Sequence, residues 1–317
     1  MLALLLAVIS LSGCDRGARL TAGLDWAYPR SETTTFGAPL GPGPFSAPGS
    51  ARTLSRQQVE ASPGPIDWFP KDHPPAPAVV GGPSVGGATP CAECHGYNGA
   101  GFPGSADLAG LPADYIVEQV NAFRTGERRS AVADQPNTAE MIKVARAVTP
   151  AALKAAADYF AGLPRSRWLR VVEGPTAPRT RPDKYGWRDP APGGGTEPIG
   201  DRVVELSDDL PIGFLGDDHV ILRDYAPPGA IDRGRRVVES GGGGGLPCRS
   251  CHGPRLGGAG PAPPISGRPA GYVARTLWDI RVGARRNAGV APMQPIARGL
   301  SASDVRDVSA YLASLTP

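Results

Sequence analysis

The sequence has 317 residues and a formal net charge of +3, with 43 glycines and 36 prolines. Residues 15–90 are rich in both, which excludes long helices there, because proline removes a helix hydrogen bond and glycine is costly to order. Residues 2–11 are apolar, but this run is too short to cross a bilayer as a permanent helix.

The apolar run predicts an export signal over residues 1–13. The tetrapeptide Leu-Ser-Gly-Cys14 that follows resembles a bacterial lipobox, in which cleavage leaves the cysteine first and its thiol carries lipid. A plain export signal with a chance cysteine is the alternative. Export predicts a location at the periplasmic face of a bacterial membrane, with the membrane as one partner, and it argues against nucleic acid as a partner.

Residues 14–54 hold few apolar periodic runs, and we predict a flexible tether between the lipid and the folded part. A short helix is expected from Ser55 to Glu60. The segment from Ile66 to Pro75 places Trp68 and Phe69 beside prolines, which predicts a non-helical segment packed on the first domain.

Two copies of a Cys-x-x-Cys-His motif lie 157 residues apart. They are Cys91-Ala-Glu-Cys94-His95 and Cys248-Arg-Ser-Cys251-His252. In this spacing each thiol can bond to one vinyl group of a haem, while the histidine reaches the iron from the same side. A zinc knuckle and a thioredoxin-like redox pair are the alternatives for one motif, and the recurrence favours two covalently bound haems c.

The rest of the chain repeats at the same offset, which indicates that one unit was duplicated. Beyond a five-residue length difference, Met141 matches Met293, and 23 residues then align without a gap. The pairs that match at an offset of 157 are Tyr115 with Tyr272, Gly126 with Gly283, and Arg129 with Arg286.

Each unit is predicted to be helical. Apolar residues recur on one face from Tyr115 to Phe123 and again from Tyr272 to Ile280. A closing helix follows in each unit, capped by Thr149 in the first and by Ser301 in the second.

With its entry helix, haem motif, distal methionine and closing aromatic helix, the repeat resembles class I cytochromes c. The resemblance implies a mainly α fold with two tandem cytochrome c domains, 55–168 and 234–317, joined by a partly β connecting segment, 169–233. It also implies that Gly234 and Tyr311 mark the crossing of the first and last helices. In the first unit the entry helix is hard to recognise, since Val79-Val-Gly-Gly-Pro is a poor helix.

The resemblance further implies the iron ligands. Each iron takes a histidine, His95 or His252, and a thioether, for which Met141 and Met293 stand at matched positions. A backbone carbonyl in a Pro-x-Leu pattern should fix each histidine ring. Pro263 supplies the carbonyl in the second unit, and Ala106 stands at that place in the first. We interpret His73 and His219 as surface residues rather than ligands.

Charge is unequal between the units. Residues 91–168 hold 8 acids and 8 bases, whereas residues 234–317 hold 4 acids and 11 arginines. Arg281, Arg285 and Arg286 are expected near the second haem edge, where they would steer an acidic redox partner; an ordinary solvated arginine surface is equally compatible. The excess of arginines over acids in residues 234–317 also predicts a higher reduction potential for the second haem. The run from Gly241 to Gly245 is expected to be mobile.

The connecting segment holds 12 acids and 8 bases, with short strands expected near Trp168–Glu173 and Arg202–Leu206. A linker that packs the units together is favoured over a platform for a partner. The predicted function is single-electron transfer without substrate chemistry, between a periplasmic or membrane-bound dehydrogenase and an acceptor such as a terminal oxidase. The alternative is a two-haem peroxidase, which would need one iron without its methionine.

Overall fold

The computed structural model describes residues 21, 23–30, 41–84, 86–183, 187–208 and 215–317. The predicted signal peptide and Cys14 lie outside these residues. Within the described part of the chain, none of the helices combines the length and apolar character needed to span a membrane.

The first unit consists of short helices around one apolar core. They are α1 (Arg56–Glu60), α2 (Ala78–Gly81), α3 (Ala92–His95), α4 (Ala113–Thr125), α5 (Pro136–Ala147) and α6 (Pro150–Ala161). The Thr149 hydroxyl accepts a hydrogen bond from the Ala152 amide, and Pro150 occupies the first helical position, as predicted. Helices α4 and α6 pack together through Ile116 and Phe160, both buried.

The second unit repeats this plan with a longer entry helix. Its helices are α7 (Ala230–Ser240), α8 (Arg249–His252), α9 (Ala270–Arg281), α10 (Met293–Gly299) and α11 (Ala302–Ser314). Ser301 and Asp304 form a complete capping box at the start of α11. The expected crossing of α7 and α11 is present: a Cβ on Gly234 would lie 2.0 Å from the Asp307 carbonyl oxygen, so only glycine allows this approach.

The entry helix of the first unit is reduced to the single turn α2. Its Val80 is fully buried in the first core, so this turn still supplies one apolar contact at the place where α7 packs in the second unit. Two glycines within and after the turn, Gly81 and Gly82, account for its shortness.

The connecting segment contains short strands and links both units. The strands are β1 (Leu169–Glu173), β2 (Thr176–Pro178), β3 (Thr180–Pro182), β4 (Arg188–Pro190), β5 (Thr196–Pro198), β6 (Val204–Ser207) and β7 (Leu222–Ala226). Strand β7 lies between β1, which is parallel to it, and β6, which is antiparallel. The Glu205 carboxylate accepts hydrogen bonds from the amides of Gly104 (2.9 Å) and Gly271 (3.3 Å), one in each unit. This bridge supports a segment that packs the units together.

Part of the predicted tether is packed rather than free. Leu24, Ala27 and Tyr28 are buried in the core of the second unit. The Tyr28 hydroxyl donates a hydrogen bond to Asp279 at 2.7 Å. The prediction of a tether over residues 14–54 is therefore wrong for this stretch, since its apolar side chains add to an existing core that the local sequence does not reveal.

Candidate functional site: the two haem-binding motifs

Each haem motif forms one helical turn that ends at a glycine. Helices α3 and α8 carry the second cysteine and the histidine of their motifs, and the first cysteine lies at the N-cap. Gly96 and Gly253 follow with φ of 70° and 81° and ψ near 160°. This region is essentially restricted to glycine, so the chain turns away directly behind each histidine.

Both histidine rings are held in the same way. The Nδ1 atoms of His95 and His252 lie 2.8 Å from the carbonyl oxygens of Ala106 and Pro263, each eleven residues later. Since a backbone carbonyl accepts whatever its side chain is, alanine replaces proline without loss of this contact. Burial lowers the pKa of both imidazoles, and the neutral ring with Nδ1 occupied leaves Nε2 available as a metal ligand.

The thiols of the first motif do not have the properties of a redox-active dithiol. Burial raises the pKa of the Cys91 thiol to about 11, and burial together with nearby carboxylates raises that of Cys94 to about 12. Reactive dithiols need a lowered pKa. Among the described residues, no group of three or more histidine, cysteine, aspartate or glutamate side chains is placed to bind a metal ion.

The first motif opens into a cavity of about 480 Å³. Cys91, Cys94, His95 and Met141 all line it, so the structure brings together the two thiols, the imidazole and the thioether predicted from sequence. The remaining wall is largely apolar, as suits a buried prosthetic group, and the donor set is that of a haem c. The residues present therefore fit the group that the motif implies.

In the second unit two of the four corresponding side chains lie at one apolar core. Cys248 and Met293 both pack against the cluster that contains Leu256 and Trp278. His252 is buried, and Met293 begins α10 just as Met141 lies within α5. The two units thus present equivalent donor sets.

The other two histidines have different partners. His73 was expected at the surface, but its side chain is only 4% exposed; it stacks on Tyr97 and bonds Asp67 through Nε2 at 3.3 Å. That expectation was wrong because the ring packs on Tyr97, a contact that the residues next to His73 in sequence do not reveal. His219 is half exposed, as expected, and lies 2.9 Å from Asp72.

The arginines predicted to form a basic ring lie mainly at internal contacts. Arg285 is buried between the units and donates hydrogen bonds to Tyr115 (2.9 Å) and Gln119 (2.8 Å). Arg281 donates to the carbonyls at the end of α10, including Arg298 at 2.7 Å. The ring is therefore not available to a partner as a whole.

The second unit also contributes directly to the first cavity. Tyr272, Arg275, Thr276 and Asp279 of α9 line it, beside Arg128 of the first unit. No local pattern in the sequence indicates these residues, although Tyr272 belongs to a matched pair. Arg275 places part of the positive charge of the second unit at the first site, so the net charge of each unit does not by itself order the two reduction potentials.

Comparison with known proteins agrees with this geometry. A cytochrome c family model matches residues 81–164 and 231–316. A thiosulfate dehydrogenase electron acceptor from Stutzerimonas stutzeri (strain A1501) is 27% identical, over 73% of this chain and 82% of the relative. Cytochrome c4 from Azotobacter vinelandii is 34% identical, over 38% of this chain and 65% of the relative.

Among solved structures, reduced cytochrome c4 from Pseudomonas stutzeri superposes with a TM-score of 0.46 at 22% identity, over 71% of this chain and 93% of that one. The family assignment rests on the two domain matches, which together span more than half of the chain. The chain therefore belongs to the cytochrome c family, as a two-haem electron-transfer protein built from two cytochrome c domains that bind haem c covalently.

Proposed function

We propose that this protein shuttles single electrons from a periplasmic or membrane-bound dehydrogenase to a respiratory acceptor such as a terminal oxidase. The observation that carries the proposal is the equivalence of the two donor sets, each with a histidine fixed at 2.8 Å by a backbone carbonyl and a methionine at the matched position. When bound, each haem supplies a one-electron Fe(III)/Fe(II) couple.

We propose His95 with Met141, and His252 with Met293, as the axial ligands. The fixed imidazoles present Nε2, and Met141 lies in the same cavity as His95. With both ligands in place neither iron has an open position, which supports electron transfer over a peroxidase reaction. Histidine–methionine ligation also favours the reduced iron and raises the potential.

The contact between the units supports transfer from one haem to the other. Side chains of α9, Tyr272 and Arg275 among them, form part of the wall of the first cavity. The two sites therefore adjoin without an intervening domain, so one protein can accept two electrons in succession and release them singly.

We propose a dehydrogenase as donor because one relative is named as a thiosulfate dehydrogenase electron acceptor. A thiosulfate-oxidising enzyme is accordingly the first donor to test. Location at the periplasmic face of a bacterial membrane, through lipid on Cys14, belongs to the same proposal and rests on the sequence alone.

The test is a count of haems and electrons. Two haems per chain should stay with the denatured polypeptide after acid–acetone extraction, and redox titration should give two one-electron transitions. The C251S variant should lose one haem. Rapid consumption of hydrogen peroxide with loss of the thioether-to-iron charge-transfer absorbance would favour the peroxidase alternative instead.

A further inference from the structure

The two units differ at one matched position beside the haem motif. In the first unit the Thr89 hydroxyl donates a 2.7 Å hydrogen bond to Glu140, which joins the segment before the motif to the residue before Met141. The repeat places Leu246 opposite Thr89 and Pro292 opposite Glu140. Neither side chain can form such a bond, and Leu246 is 55% exposed.

The first motif is also covered by other parts of the chain. The Asp218 carboxylate accepts hydrogen bonds from the amides of Tyr97 (3.2 Å) and Asn98 (3.1 Å), directly after His95. The Trp68 indole, from the proline-rich segment, donates to the Leu215 carbonyl at 2.8 Å and fastens this loop. Together these contacts hold the 215–218 loop over the residues that follow the first motif.

The matched residues around the second motif are exposed to solvent. Ala92 is 2% exposed in the first unit, whereas its counterpart Arg249 is exposed. Asn98, held by Asp218, corresponds to Arg255, which is exposed as well. Cys251 is exposed, while its counterpart Cys94 is partly covered. We call Leu246, Arg249, Cys251 and Arg255 the exposed edge of the second unit.

These four residues lie within ten positions of one another around the second motif. The Arg249 guanidinium donates to the Pro254 carbonyl at 2.8 Å, which brings Arg249 beside Arg255. The glycines before Leu246 pack against α10: a Cβ on Gly243 would lie 2.3 Å from the Gly299 carbonyl oxygen. The glycine run expected to be mobile therefore forms a packed 3-10 turn, Gly242–Gly244, that presents Leu246 next to the helix of Met293.

Charge distinguishes the two edges further. Glu93 and Glu140 flank the first cavity. Their counterparts in the second unit are the neutral Ser250 and Pro292, beside which Arg249 and Arg255 add positive charge. An apolar residue with a basic rim is complementary to an acidic protein surface, and a pattern of this kind sets partner choice and association rate.

We propose that the exposed edge of the second unit is where an acidic redox protein docks, and that the first haem exchanges electrons with partners only through the second. This inference rests on the proposed electron-carrier function. In each transfer one iron goes from Fe(II) to Fe(III) as the partner's centre gains one electron, and the reverse holds on loading.

The kinetic test uses the reduced holoprotein and hexacyanoferrate(III), a trianionic one-electron oxidant that becomes hexacyanoferrate(II). At low ionic strength R255E and L246D should each slow oxidation by about 3- to 10-fold, and added salt should narrow the difference. With the cationic oxidant tris(phenanthroline)cobalt(III), both variants should instead be oxidised faster than the wild type. The control is the same charge reversal at an exposed arginine of the first unit that does not line its cavity: R146E should change either rate less than about 2-fold.

A second measurement does not depend on electron transfer. Hexacyanochromate(III) is a redox-inert paramagnetic anion, and its contact broadens nearby NMR resonances. Resonances of Leu246 and Ser250 should broaden in the wild-type holoprotein, while those of Thr89 and Ala92 should not.

Equal effects of R146E and R255E, or broadening at both motifs, would overturn the proposal. Such a result would leave the carrier function intact as long as both haems still titrate. Failure of the haems to titrate as one-electron couples would instead remove the proposed function.

Discussion

Arg285 of the second unit donates a 2.9 Å hydrogen bond to the Tyr115 hydroxyl of the first. The repeat generates the reciprocal pair, Arg128 and Tyr272, at 3.5 Å. The backbone follows the same symmetry: the Arg129 amide donates to the Ala284 carbonyl at 2.9 Å, and the Arg286 amide donates to the Glu127 carbonyl at 2.8 Å. The duplicated units therefore associate as an isologous dimer does, each offering the same surface.

Replacing Arg285 by alanine should destabilise the holoprotein by about 2–4 kcal/mol, since two buried hydrogen bonds from a charged group are lost at roughly 1.5–3 kcal/mol each before relaxation. The matched control is R286A, whose side chain is exposed and whose amide bond to Glu127 remains. It should change stability by less than about 0.5 kcal/mol. Guanidinium denaturation measures both, and equal effects would contradict the assigned role of Arg285.

The Asp218 carboxyl predicts a pH dependence of stability. Burial raises its pKa to about 7 from 3.8, despite the amides that bond it. Between these values the folded state holds a proton that the unfolded state has released, so the contribution of this group to stability is greatest below about pH 4 and is lost as the pH rises to 7.

The D218N variant should lack this component. Between pH 4 and 7 the wild type should lose about 2–3 kcal/mol more stability than D218N, after allowance for partial exposure. Denaturation midpoints at several pH values test this. Parallel pH profiles for the two proteins would show that the carboxyl titrates normally.

Local signals predicted much of this fold. The caps at Thr149 and Ser301 and the apolar stripe of α4 depend on neighbours a few residues away, and each lies where the sequence predicts. The backbone acceptor for His95 was harder to predict because the family pattern names a proline. The physical requirement is only a carbonyl, which Ala106 provides.

Contacts distant in sequence could not be predicted in the same way. Tyr28 reaches Asp279 across 251 positions, and no local feature of the tether indicates it. The burial of Arg285 depends on the packing of the second unit against the first, so its charge was assigned to a surface. A glycine run suggests mobility when read alone, yet Gly243 is required by its contact with Gly299.

The proposed lipid on Cys14 predicts the fraction in which the protein is found. With Cys14 intact, the exported protein should co-sediment with membranes and partition into detergent, because the acyl chains supply apolar surface that the signal peptide no longer provides. The C14A variant should be released or remain unprocessed. Wild-type protein recovered entirely in the soluble periplasmic fraction would contradict the assignment of Cys14.

Replacing each methionine in turn should show which reduction potential belongs to which haem. Met141 lies in the cavity with His95, and Met293 packs on the core that includes Cys248. A histidine in place of either thioether favours the oxidised iron, so one potential should fall by on the order of 0.1–0.3 V, within the roughly 0.8 V range that axial ligands span.

Each variant serves as the control for the other. In M293H only the second haem should shift, and in M141H only the first; each should lose about half of the thioether-to-iron charge-transfer absorbance. Because Arg275 of the second unit lines the first cavity, the net charge of each unit does not by itself order the potentials. Spectroelectrochemical titration of wild type and both variants assigns that order. A variant that keeps both potentials and the full absorbance would show that its methionine does not bind iron.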